Sequence, residues 1–260
     1  MKRDNIFWGT ALILVGVLLF LQTQGYIGNM FPYLWPLALI LFGGWIILGV
    51  FWKQESSTED SFSIPLGAAQ SVEYHFSHGA GQLEISGGAP AGQALVGTSA
   101  AGMNQNSRLH GDRLNVRVEA GPSFVPFIGP SQRVRRFHLT QEIPSTLTVE
   151  TGASSVNLDL SQVPARHVEL KTGASGSHII MPERGASLLD IEAGAASVRV
   201  VVPPVTAARI RVEEGVTSIN VDTNRFPRLS AGLYQSPSYD NAADRADINV
   251  EAGLGSVTVV

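Results

Sequence analysis

Val149-Glu-Thr-Gly152-Ala-Ser-Ser-Val-Asn-Leu158 is followed by Leu170-Lys-Thr-Gly173-Ala-Ser-Gly-Ser-His-Ile179, then Ile191-Glu-Ala-Gly194-Ala-Ala-Ser-Val-Arg-Val200 and Val212-Glu-Glu-Gly215-Val-Thr-Ser-Ile-Asn-Val221. From Gly152 to Gly215 each glycine stands 21 residues after the last. A fifth copy, Val250-Glu-Ala-Gly253-Leu-Gly-Ser-Val-Thr-Val259, follows an insertion, and a fainter one, Phe76-Ser-His-Gly79-Ala-Gly-Gln-Leu-Glu-Ile85, lies upstream. Apolar residues alternate with polar ones on both sides of each glycine, the period of a strand with one buried face. The unit reads strand, tight turn, strand, and the turn is expected to need the positive φ that Gly79, Gly152, Gly173, Gly194, Gly215 and Gly253 can supply. One such unit cannot bury its own apolar face, whereas stacked units share a continuous core. The body is therefore predicted to be a β-solenoid with 21-residue rungs.

Stacking in sequence order makes outward ladders. One runs Glu150, Lys171, Glu192, Glu213, Glu251, with alternating charge at its start and like charge at Glu192–Glu213; another runs Asn157, His178, Arg199, Asn220, Thr258. Pro182 and Pro203 fall where pairing would end at a corner. The domain is expected over residues 64–260, with an irregular part at 64–146, regular rungs at 147–221, an insertion at 222–247 and a closing rung at 248–260. Strands are expected near Arg113–Glu119 and Arg136–Glu142 within a meander or capping region. The insertion, with Phe226, Tyr234 and Tyr239, reads as a lid over the solenoid end or as a binding loop.

Upstream the composition changes. Between Asn5 and Trp52 there is no Asp, Glu, Lys or Arg. Two apolar runs, about residues 6–22 and 34–52, are each just long enough to cross a hydrocarbon core as a helix. Phe7, Trp8, Tyr26, Tyr33, Trp35 and Trp52 sit near the expected interfaces. A cleavable signal peptide is the competing reading of the first run, but no Ala-x-Ala-like site follows Leu21. Lys2 and Arg3 before the first run and Lys53 after the second place both ends in the cytoplasm, and with them the solenoid. Residues 53–63, KQESSTEDSFS, read as a polar linker.

Charge and chemistry narrow the function. Lys2, Arg3 and Lys53 against Asp4 give the head +2, so with −4 overall the body holds −6. Such a body lacks the basic clusters that nucleic acid requires. There is no cysteine. His75, His78, His110, His138, His167 and His178 have no metal-ligand spacing and read as surface residues. No nucleophile elbow, phosphate loop or dinucleotide fingerprint is present, and the carboxylates lie along a flat ladder rather than a cleft. The expectation is a protein that is not an enzyme and takes no cofactor. Phe124 and Phe127 lie in an apolar loop followed by Arg133, Arg135 and Arg136. The loop reads either as packed on the solenoid cap or as dipping into an anionic bilayer. With Tyr234 and Tyr239, these residues form the candidate interaction surface.

The head resembles the transmembrane region of LiaI- and LiaF-type proteins through Gly9, Gly16–Gln22, Gly25-Tyr-Ile27, Leu34-Trp-Pro-Leu37, Ile40 and Gly43. The body resembles the toast-rack and adhesin-type β-solenoids, with Tyr234, Ser236, Tyr239, Ala243 and Ile248–Val259 similar to the end of those domains. The resemblance implies a multi-pass protein of the bacterial cytoplasmic membrane with a regulatory or sensory role in envelope stress. Its partner would be a membrane histidine kinase or another envelope-stress protein. The alternative is a structural, adhesin-like module that binds wall polymer or associates with itself.

Overall fold

A computed structural model of the chain describes residues 60–99, 103–120, 134–213 and 216–260, with Gln24, Leu39 and Gly43 besides. Almost all of these fall in the unit Thr58–Val260. Among the described residues no helix is long and apolar enough to cross a membrane. The two candidate membrane segments lie, apart from Leu39 and Gly43, outside the described residues, as does the linker before Asp60. What is described is all-β.

The first three quoted copies form the long strands β7 (Ser145–Asp159), β8 (Ala165–Ile180) and β9 (Ala186–Val201). In β7, Leu147, Val149 and Thr151 point inward, and so do Ser154, Val156 and Leu158, while Gly152 and Ala153 both point out. The alternation slips by one at the glycine. The strand thus turns a corner without losing its pairing, and both arms serve one core. A second corner closes the rung, where the Val163 amide donates to the Leu160 carbonyl at 2.9 Å and Pro164 follows. Rungs pair in parallel and in register, Glu150 beside Lys171 and Lys171 beside Glu192.

The order of rungs in space is not their order in sequence. β2 (Ser71–Gly87), the faint copy, pairs in parallel with β7, Phe76 beside Val149 and Ile85 beside Leu158. Its other edge takes a rung in two pieces, β5 (Arg113–Ala120) on the first arm and β6 (Val134–Leu139) on the second. At the far end β14 (Arg245–Val259) pairs with β9, and the other edge of β14 takes β10 (Ala207–Val212) and β11 (Val216–Val221). The closing copy therefore lies between the third and fourth quoted copies, and Glu192 neighbours Glu251 rather than Glu213. The first and last long strands, β2 and β14, each lie one level in from an end. There the parallel partners on both sides satisfy their backbone groups.

Antiparallel strands cap the stack. β3 (Gln93–Ser99) lies on β6 and β1 (Asp60–Pro65) on β3, while β4 (Met103–His110) lies on β5. At the other end β13 (Leu233–Gln235) lies on β10 and β12 (Arg228–Ser230) on β13. The irregular region before residue 146 is thus both a rung and a cap. Rings close the N-terminal end of the core: Phe76 lies 5.0 Å from Phe137, and Phe62 meets Phe137 edge-on at 6.2 Å. Gly97 makes room for that pair, since a Cβ there would stand 2.6 Å from Phe137 and 2.7 Å from Phe62. Of the two readings of the insertion, the lid describes its first part: Phe226 is fully buried. Beside it the Arg225 guanidinium donates to the carbonyls of Val202 at 2.7 Å and Pro203 at 2.8 Å.

The corner glycines have a different reason from the expected one. Gly79, Gly152, Gly173, Gly194 and Gly253 are not among the glycines with positive φ. A Cβ on Gly152 would stand 2.7 Å from the Gly79 carbonyl oxygen, one on Gly173 3.0 Å from that of Gly152, and one on Gly194 2.9 Å from that of Gly173. On Gly253 it would meet the Gly194 oxygen at 2.8 Å. Glycine is required by close approach of backbones, not by its φ range. Gly215 lies outside the described residues. Among the described residues nothing lies within 4 Å of the Cβ position of Gly79. Gly152→Ala should therefore cost about 2 kcal/mol, whereas Gly79→Ala should be neutral or gain about 0.5 kcal/mol. Urea unfolding of the two full-length variants checks this, and equal losses at both sites would refute the close-approach account.

Candidate functional site

The outward residues of the first arm form columns across the rungs. Two residues before each corner glycine stand Glu150, Lys171, Glu192 and Glu251. Lys171 does not bridge to its column neighbours. Its ammonium lies 2.9 Å from Glu169 in its own strand, and that contact, followed by the fields of Glu192 and Glu150, raises its pKa. In the next column Asp190 accepts from Asn249 at 2.8 Å and meets His167 Nε2 at 2.9 Å, and Arg211 donates to Asn249 at 2.9 Å. Beyond it Arg209 holds Asp247 at 2.6 Å and stacks 4.8 Å over the Tyr239 ring. Sequence reading passed over Asp190, Asp247, Asn249, Arg209 and Arg211. Their signal was their shared offset from the repeat glycines.

Along the corners runs an open groove of about 750 Å³, lined by the glycines of β2, β7, β8, β9 and β14 and flanked by Glu150, Lys171, Glu192 and Glu251. It is floored by backbone and walled by mostly acidic side chains. Behind it the inward column reads His78, Thr151, Thr172, Ala193 and Ala252, and Thr151 donates to Thr172 at 3.2 Å. His78 is 4% exposed and takes a hydrogen bond from Arg135 on Nδ1. It is therefore not the surface residue the sequence implied. The same bond leaves Nε2 to carry the proton, and that atom is buried with no hydrogen-bond partner among the described residues. Burial, and next the positive charge of Arg135, lower the His78 pKa to about 4.

Of the expected interaction surface, Phe124, Phe127 and Arg133 lie outside the described residues. Arg135 is turned inward onto His78 and buried, while Arg136 is exposed and donates to Glu84 at 2.9 Å. Tyr239 is buried and donates to Asp247; burial and that bond push its pKa up to about 12. Tyr234 is half-buried against the core, with Arg228 6.0 Å from its ring centre. Arg135 thus satisfies the buried His78, and Tyr239 bonds the half-buried Asp247. Among the described residues no three His, Asp or Glu side chains come together as metal ligands.

A capped stack of parallel rungs with a polar outer face defines a repeat-built, all-β domain. The chain belongs to the toast-rack family: residues 52–202 match the N-terminal domain of toast_rack, DUF2154. Residues 7–83 match the LiaF transmembrane domain, which points to a membrane location. Both families are non-enzymatic kinds of protein. Among solved structures, a candidate cell adhesion protein from Clostridium sporogenes is 16% identical, with a TM-score of 0.69 over 78% of this chain and 98% of that one. It shares the fold. A candidate adhesin from Bacteroides fragilis is 8% identical over 79% of this chain and 98% of that one, at a TM-score of 0.21. No curated protein matches the chain.

The buried His78 makes stability depend on pH. Its folded pKa lies below its unfolded value of 6.5, so the unfolded chain takes up the proton first. The contribution is complete above pH 6.5 and is lost as pH falls to about 4. His78→Gln should remove on the order of 2 kcal/mol of that loss. Unfolding curves at pH 7, 5 and 4 test it, and identical pH slopes in both proteins would refute it.

Proposed function

We propose that the chain is a non-enzymatic, membrane-anchored envelope protein whose body binds a protein partner in a regulatory or sensory role. Two transmembrane helices, over residues 6–22 and 34–52, hold a β-solenoid of 21-residue rungs. The observation that carries the reading is the joining, in one chain, of a LiaF-type transmembrane match to a toast-rack body. Side chains on its outer face are cross-bonded from rung to rung, as at Asp190, Asn249 and Arg211. Such bonding fixes the geometry of the face before any partner arrives, which lowers the ordering cost of binding. The partner class that fits is a membrane histidine kinase or another envelope-stress protein. The basic residues Lys2, Arg3 and Lys53 support a cytoplasmic body, the side on which a kinase's catalytic part would lie.

The second reading is an adhesin-like module that binds wall polymer, supported by the likeness to the candidate cell adhesion protein. The side of the membrane separates the two. The chain has no cysteine, and Ala68 is exposed in a turn. Full-length Ala68→Cys in cells stripped of outer barriers should resist a membrane-impermeant thiol reagent and react after lysis. Labelling of intact cells would reject the cytoplasmic reading and favour wall binding.

A further inference from the structure

The two sheets end in steps. On the second arm β3 and β1 extend beyond β6 at the N-terminal end, and no strand among the described residues lies beyond β11 at the other. On the first arm β4 extends beyond β5, and β13 and β12 extend beyond β10. Among the described residues no strand therefore lies beyond β1 or β11, the two outer edges of the second arm. Proteins usually blunt such edges with charge, proline or a bulge. β11, Val-Thr-Ser-Ile-Asn-Val, carries neither charge nor proline. β1 is uncharged between Asp60 and Pro65, and its bulge falls only at Pro65. Each edge leaves an apolar side chain half-covered, Ile219 on one and Phe62 on the other.

Direction and register match as well. β1 is antiparallel to β3 and β3 to β6, so β1 runs parallel to β6 and to every second-arm strand up to β11. Followed through the sheet, the register links Asn220 to Ser61 and Val221 to Phe62. A copy shifted along the stack would thus bring β1 onto β11 in the same parallel geometry as the rungs within. Outward Ser61 would lie beside outward Asn220, and inward Phe62 beside Val221.

We propose that the domain stacks head to tail on a second copy of itself, β11 of one copy pairing in parallel with β1 of the next. The steps favour this joint over like-with-like contacts. Two β11 edges meeting would leave four first-arm strands with no counterpart on the second arm. Head to tail, three first-arm strands face two second-arm strands, and the one in excess bends the assembly with the first arm outermost. The contact is heterologous and does not close on itself, so it propagates. It stands whether or not the outer face binds a protein partner, and it leaves that face free.

Exposed Ser61 and Asn220 test it in the full-length chain in membranes. Neighbouring parallel strands bring Cα atoms within disulfide range. Co-expressed S61C and N220C should cross-link on oxidation several-fold above an A68C plus N220C control. The double variant S61C/N220C should give a ladder of dimers, trimers and longer chains, and neither single variant should link alone. Linking of N220C to itself at equal yield would overturn the joint in favour of two-fold pairing. Absence of linking, with the thiols still reactive toward a maleimide, would overturn self-stacking altogether and leave the partner-binding reading intact.

Discussion

The structure depends on one contact repeated along its length: the carbonyl oxygen of a corner glycine occupies the space where the next rung's side chain would begin. Parallel strands lie about 4.8 Å apart, and at a corner the backbones converge within that spacing. Any Cβ there would push the rungs apart or out of register. With the corners fixed, residues at equal offsets from the glycine must fall in columns, inward or outward together. The apolar core, the Thr151–Thr172 hydroxyl pair and the charged outer face all follow from that constraint.

A stack of identical units has a difficulty at its ends, where the last rung has one bare edge and the core one bare face. Two devices meet it here. β2 and β14, the first and last long strands, are drawn inside the stack, so both are paired along both edges. The outermost level at each end is a split rung, braced by antiparallel strands on both arms at the N-terminal end and on the first arm at the other, with rings set over the core: Phe62, Phe76 and Phe137 at one end, Phe226 at the other.

Period, strand alternation and the stacking of the faint Gly79 copy were legible in the sequence, because burial of one face writes itself as alternation. The order of the rungs was not. Every copy carries the same template, so Gly253 fits upon Gly194 as well as Gly215 would, and periodicity alone cannot choose between them. That choice is made by the connections, whose corners can span one strand spacing or two. The role of the glycines was legible, but its cause was not: a turn glycine and a close-approach glycine look alike in a sequence. His78 and Arg135 follow the same alternation, which places polar residues inward when they fall on the buried phase. His78 continues the inward series Val72, Tyr74 and Phe76, Arg135 begins the series Phe137 and Leu139, and each offsets the other's burial by the bond between them.

Asp247 and Asp190 are neutralised or bonded by neighbours in their own columns or the next, so most charge on the outer face is spent within the fold. The column beside the groove is the exception. Lys171, its one cation among Glu150, Glu192 and Glu251, is committed to Glu169. Glu192 and Glu251 sit side by side in register on adjacent strands, an arrangement that costs stability rather than adding to it. Core packing sets the inward positions and places no demand on these outward ones, so the like charges are a property of the surface alone.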